Sequence, residues 1–151
     1  LLFLDELVTA SRTPKEVRLA GEKMGSRFLK TIKVLPVSYE DGSFLEYASK
    51  AVRKNHTIAY GAFCAAVGIE EEKVLEHYLY AQTSAMVTNC VKAVPLSQTT
   101  GQELLFACQE IWPEAMEQVM KLKEEDYGAA APGFEIRCMQ HEGLYSRLYM
   151  S

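Results

Sequence analysis

The chain has 151 residues, 48% of them hydrophobic and 24% charged, with a formal net charge of −4. That length suits a single domain with a sizeable core, and the acidic balance argues against a nucleic-acid binder, with no dense Lys/Arg stripe apparent along the sequence. No apolar run reaches the ~18 residues a membrane span needs and no secretory signal is visible, so a cytoplasmic protein without a membrane partner is expected.

The chain opens on Leu1 inside an apolar run, LLFLDELV, which reads as a fragment lacking its true N-terminus. Thr13-Pro14-Lys15-Glu16 combines a capping-box pattern with proline at a first helical position. It predicts a long helix with Val17, Ala20, Met24, Phe28 and Ile32 on one face, stopping before Pro36. Ser43-Phe44-Leu45-Glu46 repeats the capping pattern and predicts a helix to about Arg53 with Leu45, Ala48 and Val52 inward. Asn55 or Thr57 starts the next, whose alanines and Gly61 allow close helix approach and which Gly68 ends as a left-handed cap. The stretch EEEKVLEHYLYAQTSAMVTNCVKAVP, Glu70 to Pro95, carries acids at its start, Lys92 near its end and a proline stop. Val74, Tyr78, Gln82, Ala85, Asn89 and Ala93 recur at three- and four-residue steps beside a second row of Leu75, Leu79, Met86 and Cys90. Such a helix, apolar or small around most of its axis, is expected to be buried. Helices from Thr100 through Ile111, from Glu114 to Leu122 and from Phe134 to about Tyr149 follow, with a loop from Asp126 to Gly133. No segment alternates with a period of two between turn signals. The expected fold is all-α, a compact multi-helix bundle around a central buried helix at about 70–94. The expected organisation is one domain over 1–151, with a partner-binding tail at about 134–151.

Few residues are arranged for chemistry. Cys64, Cys90, Cys108 and Cys138 are widely spaced without a CxxC, which reads as reduced thiols packed in a core. Cys138 and His141 are three apart, half of a metal site if paired with another half, otherwise packing and a hydrogen-bonding polar residue. His77 reads as helix packing or surface, and His56 as a capping residue. There is no phosphate loop, HExxH or GxSxG. Two stretches exceed mere packing: the polar turn Pro95-Leu96-Ser97-Gln98-Thr99-Thr100-Gly101-Gln102, and the tail from Met139 to Ser151, rich in the Tyr and Arg that anchor interfaces.

These same stretches carry a family resemblance. Tyr78-Leu79-Tyr80, Val91, Pro95 to Leu105, and His141-Glu142 followed by Leu144-Tyr145-Ser146-Arg147-Leu148-Tyr149-Met150-Ser151 resemble the urease accessory protein F (UreF) family. His56, Ala59, Gly61 and Gly68 agree in order and spacing. The resemblance spans the chain, weakly before His56 and strongly after it. It implies a non-catalytic, all-helical urease maturation chaperone. Such a protein forms a homodimer, binds accessory protein D (also called H), and with it recruits the nickel-delivering GTPase, accessory protein G, to apo-urease. Nickel is then handled by the complex and GTP is bound by the GTPase, with no cofactor held directly by this chain. The resemblance further implies partner binding by His141, Glu142, Tyr145, Ser146, Arg147, Leu148 and Tyr149, with Arg147 supporting GTPase recruitment. Tyr80, with Glu76 and Thr83, falls at the implied dimer interface. The Pro- and Gly-rich N-terminal motif of the family has no counterpart here. Two other readings compete. One is an enzyme built on Cys138, His141 and Glu142; the other is a generic helical interaction domain unrelated to urease.

Overall fold

Helix starts and stops along the chain follow from local chemistry. In the computed structural model, which describes residues 1–40, 42–128 and 131–145, there are eight α-helices, a single 3₁₀ turn, and no strand among the described residues. They are α1 (Leu2–Ser11), α2 (Lys15–Ile32), α3 (Ser43–Lys50), α4 (His56–Ala66), α5 (Glu71–Ala93), α6 (Gln98–Cys108), α7 (Trp112–Lys121) and α8 (Pro132–His141), with the 3₁₀ turn at Glu124–Asp126. The fold is all-α. No described helix is long and apolar enough to cross a membrane. The chain that read as one domain divides by its contacts into two compact units, Leu1–Gly68 with the segment from Gly128 onward, and Ile69–Tyr127.

The first unit holds the main core. Ile32, Phe44, Tyr47, Ala51, Ala59, Ala62 and Ala66 are buried together, and Phe28, Leu29, Tyr39, Ile58 and Phe63 pack against them. Phe63 of α4 meets Phe28 and Phe44 edge-to-face, each at 5.6 Å between ring centroids, a geometry that aligns positive ring edges with negative ring faces. The alanines of α4 let α2 approach closely, as the composition predicted. Asn55 caps α4 by accepting from the Thr57 backbone N–H at 3.1 Å, and Gly68 ends it with φ +73°, where only glycine is unstrained.

Two local expectations fail here. In α3 the inward residues are Phe44 and Tyr47, with Ala51 following, whereas Leu45 is 52% and Val52 84% exposed. The phase was misjudged by one residue because aromatic burial outweighs the aliphatic pattern. Neither helix starts where its capping pattern puts it: the residue at the N-cap is Pro14 in α2 and Gly42 in α3, and neither supplies a side-chain cap. The LLFLDELV run forms most of α1, and its Asp5 is 2% exposed. Asp5 Oδ1 accepts from the Tyr47 hydroxyl at 3.0 Å and the Asn55 N–H at 2.6 Å, and Oδ2 accepts from the Lys54 N–H at 2.9 Å. Burial first, and then the Asp5 charge, push the Tyr47 phenol well above its ordinary pKa. This knot ties α1 to α3 and to the α3–α4 turn, where Lys54 adopts a left-handed φ of 57°.

His56 begins α4 between Phe28, edge-to-face at 5.8 Å, and Tyr60, stacked at 6.1 Å. Burial lowers its pKa below the ordinary 6.5. The unfolded chain therefore binds this proton more readily, so the group's contribution is complete above about pH 6.5 and fades as pH falls through the lower folded value. Wild-type protein is expected to lose more stability than His56→Gln between about pH 7.5 and 5. Equal losses in urea unfolding midpoints would refute the assignment.

The second unit is built on α5, which contacts α6 and α7. Gly101 is buried where α6 crosses α5; a Cβ there would lie 2.7 Å from Val91 Cγ2. The sequence placed the start of α6 too late: Ser97 is its cap, accepting from the Thr100 N–H at 2.9 Å. The polar turn is thus largely helix start. The bounds of α5 are as predicted, but its burial is not. None of its 23 residues is buried: α6 and α7, at 11 and 10 residues, are too short to cover a 23-residue helix along its length. The buried core instead surrounds α4.

Candidate interaction surfaces

The start of the tail is held against the first unit at two points. Glu142 Oε1 accepts from the Lys15 backbone N–H at 3.0 Å, supplying from far along the chain the cap that Thr13 does not. A carboxylate at a helix start is favoured by the free N–H groups and the positive end of the dipole. One residue earlier, His141 Nδ1 lies 2.6 Å from Glu16 Oε2. His141 and Glu142 thus seat α8 on the first turn of α2. Phe134, Ile136, Met139 and Leu144 remain exposed beside them. Tyr145 is fully exposed, while Ser146, Arg147, Leu148 and Tyr149 lie outside the described residues.

Cys138 is half-buried in α8. Among the described residues no three His, Cys, Asp or Glu side chains come together as a metal site, and His141 turns to Glu16. All four cysteines are free; Cys64 alone is buried and Cys90 is exposed, so the expectation of four core thiols holds for one. Burial raises the Cys64 pKa, partly offset by a hydrogen bond with Tyr60. His77 is exposed on α5.

In the second unit, Tyr80 packs edge-to-face on Trp112, 5.7 Å between centroids at 87°, and is 44% exposed. Next to this pair a groove of about 750 Å³ runs between α5 and α7, lined by Glu72, Glu76, Trp112, Pro113, Met116 and Met120 among others. Tyr80 and Glu76 therefore lie on one apolar-floored, acid-edged surface. Thr83 contributes no free hydroxyl proton to it: Oγ1 donates to the Leu79 carbonyl of its own helix at 2.8 Å. Trp112 was missed in the sequence, although the lone tryptophan of the chain, placed before Pro113, was the available signal.

The reading that no basic stripe exists also needs correction. Lys23, Arg27, Lys30 and Lys33 step by three and four residues along α2, all exposed, and Arg53 and Lys54 join them from the α3–α4 turn. In sequence the two groups are separated; the fold brings them together.

Among the described residues these elements define an all-helical protein with partly uncovered helix faces and a C-terminal helix seated through His141 and Glu142. The family model for UreF matches residues 1–109. A urease accessory protein UreF from Bacillus sp. (strain TB-90) is 33% identical over 155 aligned residues, covering 100% of this chain and 67% of that protein. The chain belongs to the UreF family of urease accessory proteins.

Proposed function

We propose that this chain is a non-catalytic, cytoplasmic scaffold for urease maturation. As a homodimer it joins accessory protein D/H and recruits the GTPase, accessory protein G, to apo-urease for nickel insertion. Nickel and GTP are handled by the complex and the GTPase. The observation that carries this reading, beside family membership, is α5: a long helix of mainly apolar and small residues with none buried. Its large apolar side chains are half-buried or, at Tyr80 and Met86, exposed, and apolar groups left partly open in this way suit a face that a partner covers. Tyr80, Glu76 and Thr83 are assigned to the homodimer contact, with Tyr80 and Glu76 beside the Trp112 groove. His141 and Glu142 set the base of the tail, and Tyr145, Ser146, Arg147, Leu148 and Tyr149 make the partner contacts. A Tyr- and Leu-rich tail offsets its ordering entropy by burying apolar surface.

The test is co-purification of the protein with accessory proteins D/H and G, followed by nickel-dependent urease activation with and without it. A stable complex and restored activation are expected. Arg147→Ala should leave the fold intact and weaken GTPase recruitment by roughly 10- to 100-fold, the scale of one lost charge-assisted hydrogen bond. A complex that elutes unchanged with this variant would remove Arg147 from the recruiting surface.

A further inference from the structure

Positive charge is unevenly spread along this acidic chain. Ten of its sixteen Lys and Arg residues but only five of its twenty Asp and Glu residues fall in residues 12–54, which therefore carry an excess of five positive charges in a chain of net −4. The fold concentrates part of that excess. Lys23, Arg27, Lys30 and Lys33 form an exposed row about 15 Å long on α2, and Arg53 and Lys54 flank it. Among the described residues only Arg53 of these six has a carboxylate within ion-pair distance, Glu22 at 3.6 Å. Clustered cations without counter-charges repel one another, and nothing in the core of the first unit requires them.

The row also borders a depression. Between α2 and α3 lies a cavity of about 500 Å³ whose lining includes Leu29, Ile32, Phe44 and Leu45, with Lys30, Lys33 and Lys54 around it. Ile32 and Phe44 are 7% and 3% exposed, so the apolar floor is recessed, while Leu45 at 52% stands at its edge. A recessed floor receives inserted side chains, whereas a bilayer meets protruding ones. Nucleic acid is disfavoured as well, since a phosphate backbone gains nothing from an apolar floor and the remainder of the chain is strongly acidic. An apolar floor with a cationic edge matches a helix that carries apolar residues on one face and carboxylates beside them.

We propose that the α2–α3 face is a docking site for an acidic amphipathic helix of a partner protein, its apolar side chains entering the cavity and its carboxylates meeting Lys30, Lys33 and Lys54. Opposed charge sets approach and register, and the apolar floor supplies the retained contact.

The test uses the full chain and a fluorescein-labelled amphipathic peptide of about 14 Leu, Ala and Glu residues, roughly 21 Å as a helix. Anisotropy is read at ~150 mM salt, where distant charges are screened. Saturable binding is expected, weakened about tenfold or more by the double change Lys30→Glu with Lys33→Glu. Lys30→Gln with Lys33→Gln should weaken it less, and Leu45→Ser should weaken it without altering charge. Lys73→Glu, on α5, should leave it unchanged. These positions are exposed, and circular dichroism melts confirm that each variant is folded. The proposal is overturned if no saturable binding occurs, or if binding survives the double charge reversal. It is also overturned if an all-Glu peptide binds equally well and Leu45→Ser has no effect, which would reduce the face to bulk electrostatics. Preferential binding to phosphatidylserine vesicles would assign it to a lipid surface, and a dimer lost on charge reversal would assign it to a second copy; either result overturns the partner helix.

Discussion

Replacing Asp5 with alanine is expected to destabilise the first unit by about 3–5 kcal/mol, because it strands three donors that share one buried carboxylate. The Tyr47 hydroxyl and the Lys54 and Asn55 backbone N–H groups all point at Asp5, whose surroundings are nearly closed to water. Water cannot easily replace the lost acceptor, and a buried unsatisfied donor costs more than a made hydrogen bond gains. The backbone consequence is specific. Lys54 holds a left-handed φ that is unfavourable for a residue with a Cβ, and Asp5 is the acceptor that fixes the turn at that point. Asp5→Asn should lose less, since one oxygen still accepts, but its amide group would face one of the N–H donors. Urea unfolding of the three proteins gives the ordering wild type, Asn, Ala. A loss below about 1 kcal/mol for the alanine variant would show that the network is dispensable.

The second large effect is expected at Gly25, in the middle of α2. In an ordinary helix Gly→Ala gains about 1 kcal/mol from propensity. Here the added Cβ would be driven into the Lys54 carbonyl oxygen and would lie 2.8 Å from the His56 nitrogen and 2.9 Å from the Asn55 carbonyl carbon. All three obstacles are backbone, so no rotamer change relieves them. Either α2 moves off the start of α4, opening the contact beneath Phe28 and Phe63, or the turn held by Asp5 shifts. Overpacking of this kind costs about 3 kcal/mol or more, reversing the usual sign. Thermal unfolding decides it: a Gly25→Ala protein that melts at or above the wild-type temperature would contradict the close approach. Because Gly25 and Asp5 act on the same turn, their effects should fall short of additive when combined.

Much of the helical framework is legible in the sequence, because the signals are local. Asn55 before an alanine-rich run, Gly68 after it, and the acids and proline that bound α5 are each decided within a turn of helix. The features that escaped depend on residues far apart in the chain. Thr13 and Ser43 look like caps, yet α2 takes a cap from Glu142 and the N-cap position of α3 falls on Gly42. Asp5 sits in an apolar run, and nothing near it in sequence reveals that Tyr47 and the Lys54–Asn55 turn will converge on it. Burial of α5 was misjudged because periodicity reports which residues are apolar, not how many neighbours exist to cover them. For the candidate surfaces, Tyr80 and Glu76 follow from the family resemblance, whereas the place of Trp112 and the depth of the groove depend on how α7 packs on α5. The basic row on α2 was readable at three- and four-residue steps, but its completion by Arg53 and Lys54 was not.

The Glu142 contact has a consequence for the order in which the molecule assembles. It joins residues 127 positions apart, so α8 meets α2 across almost the whole length of the chain. Closing so long a loop carries an entropic cost that short-range contacts such as α2 with α4 partly spare. By that cost alone, docking of α8 is expected to follow formation of the core around α4. α8 is mostly exposed and its polar ties to α2 are Lys15–Glu142 and Glu16–His141, so far less buried surface secures it than secures α4, and local opening concentrates where buried contacts are few.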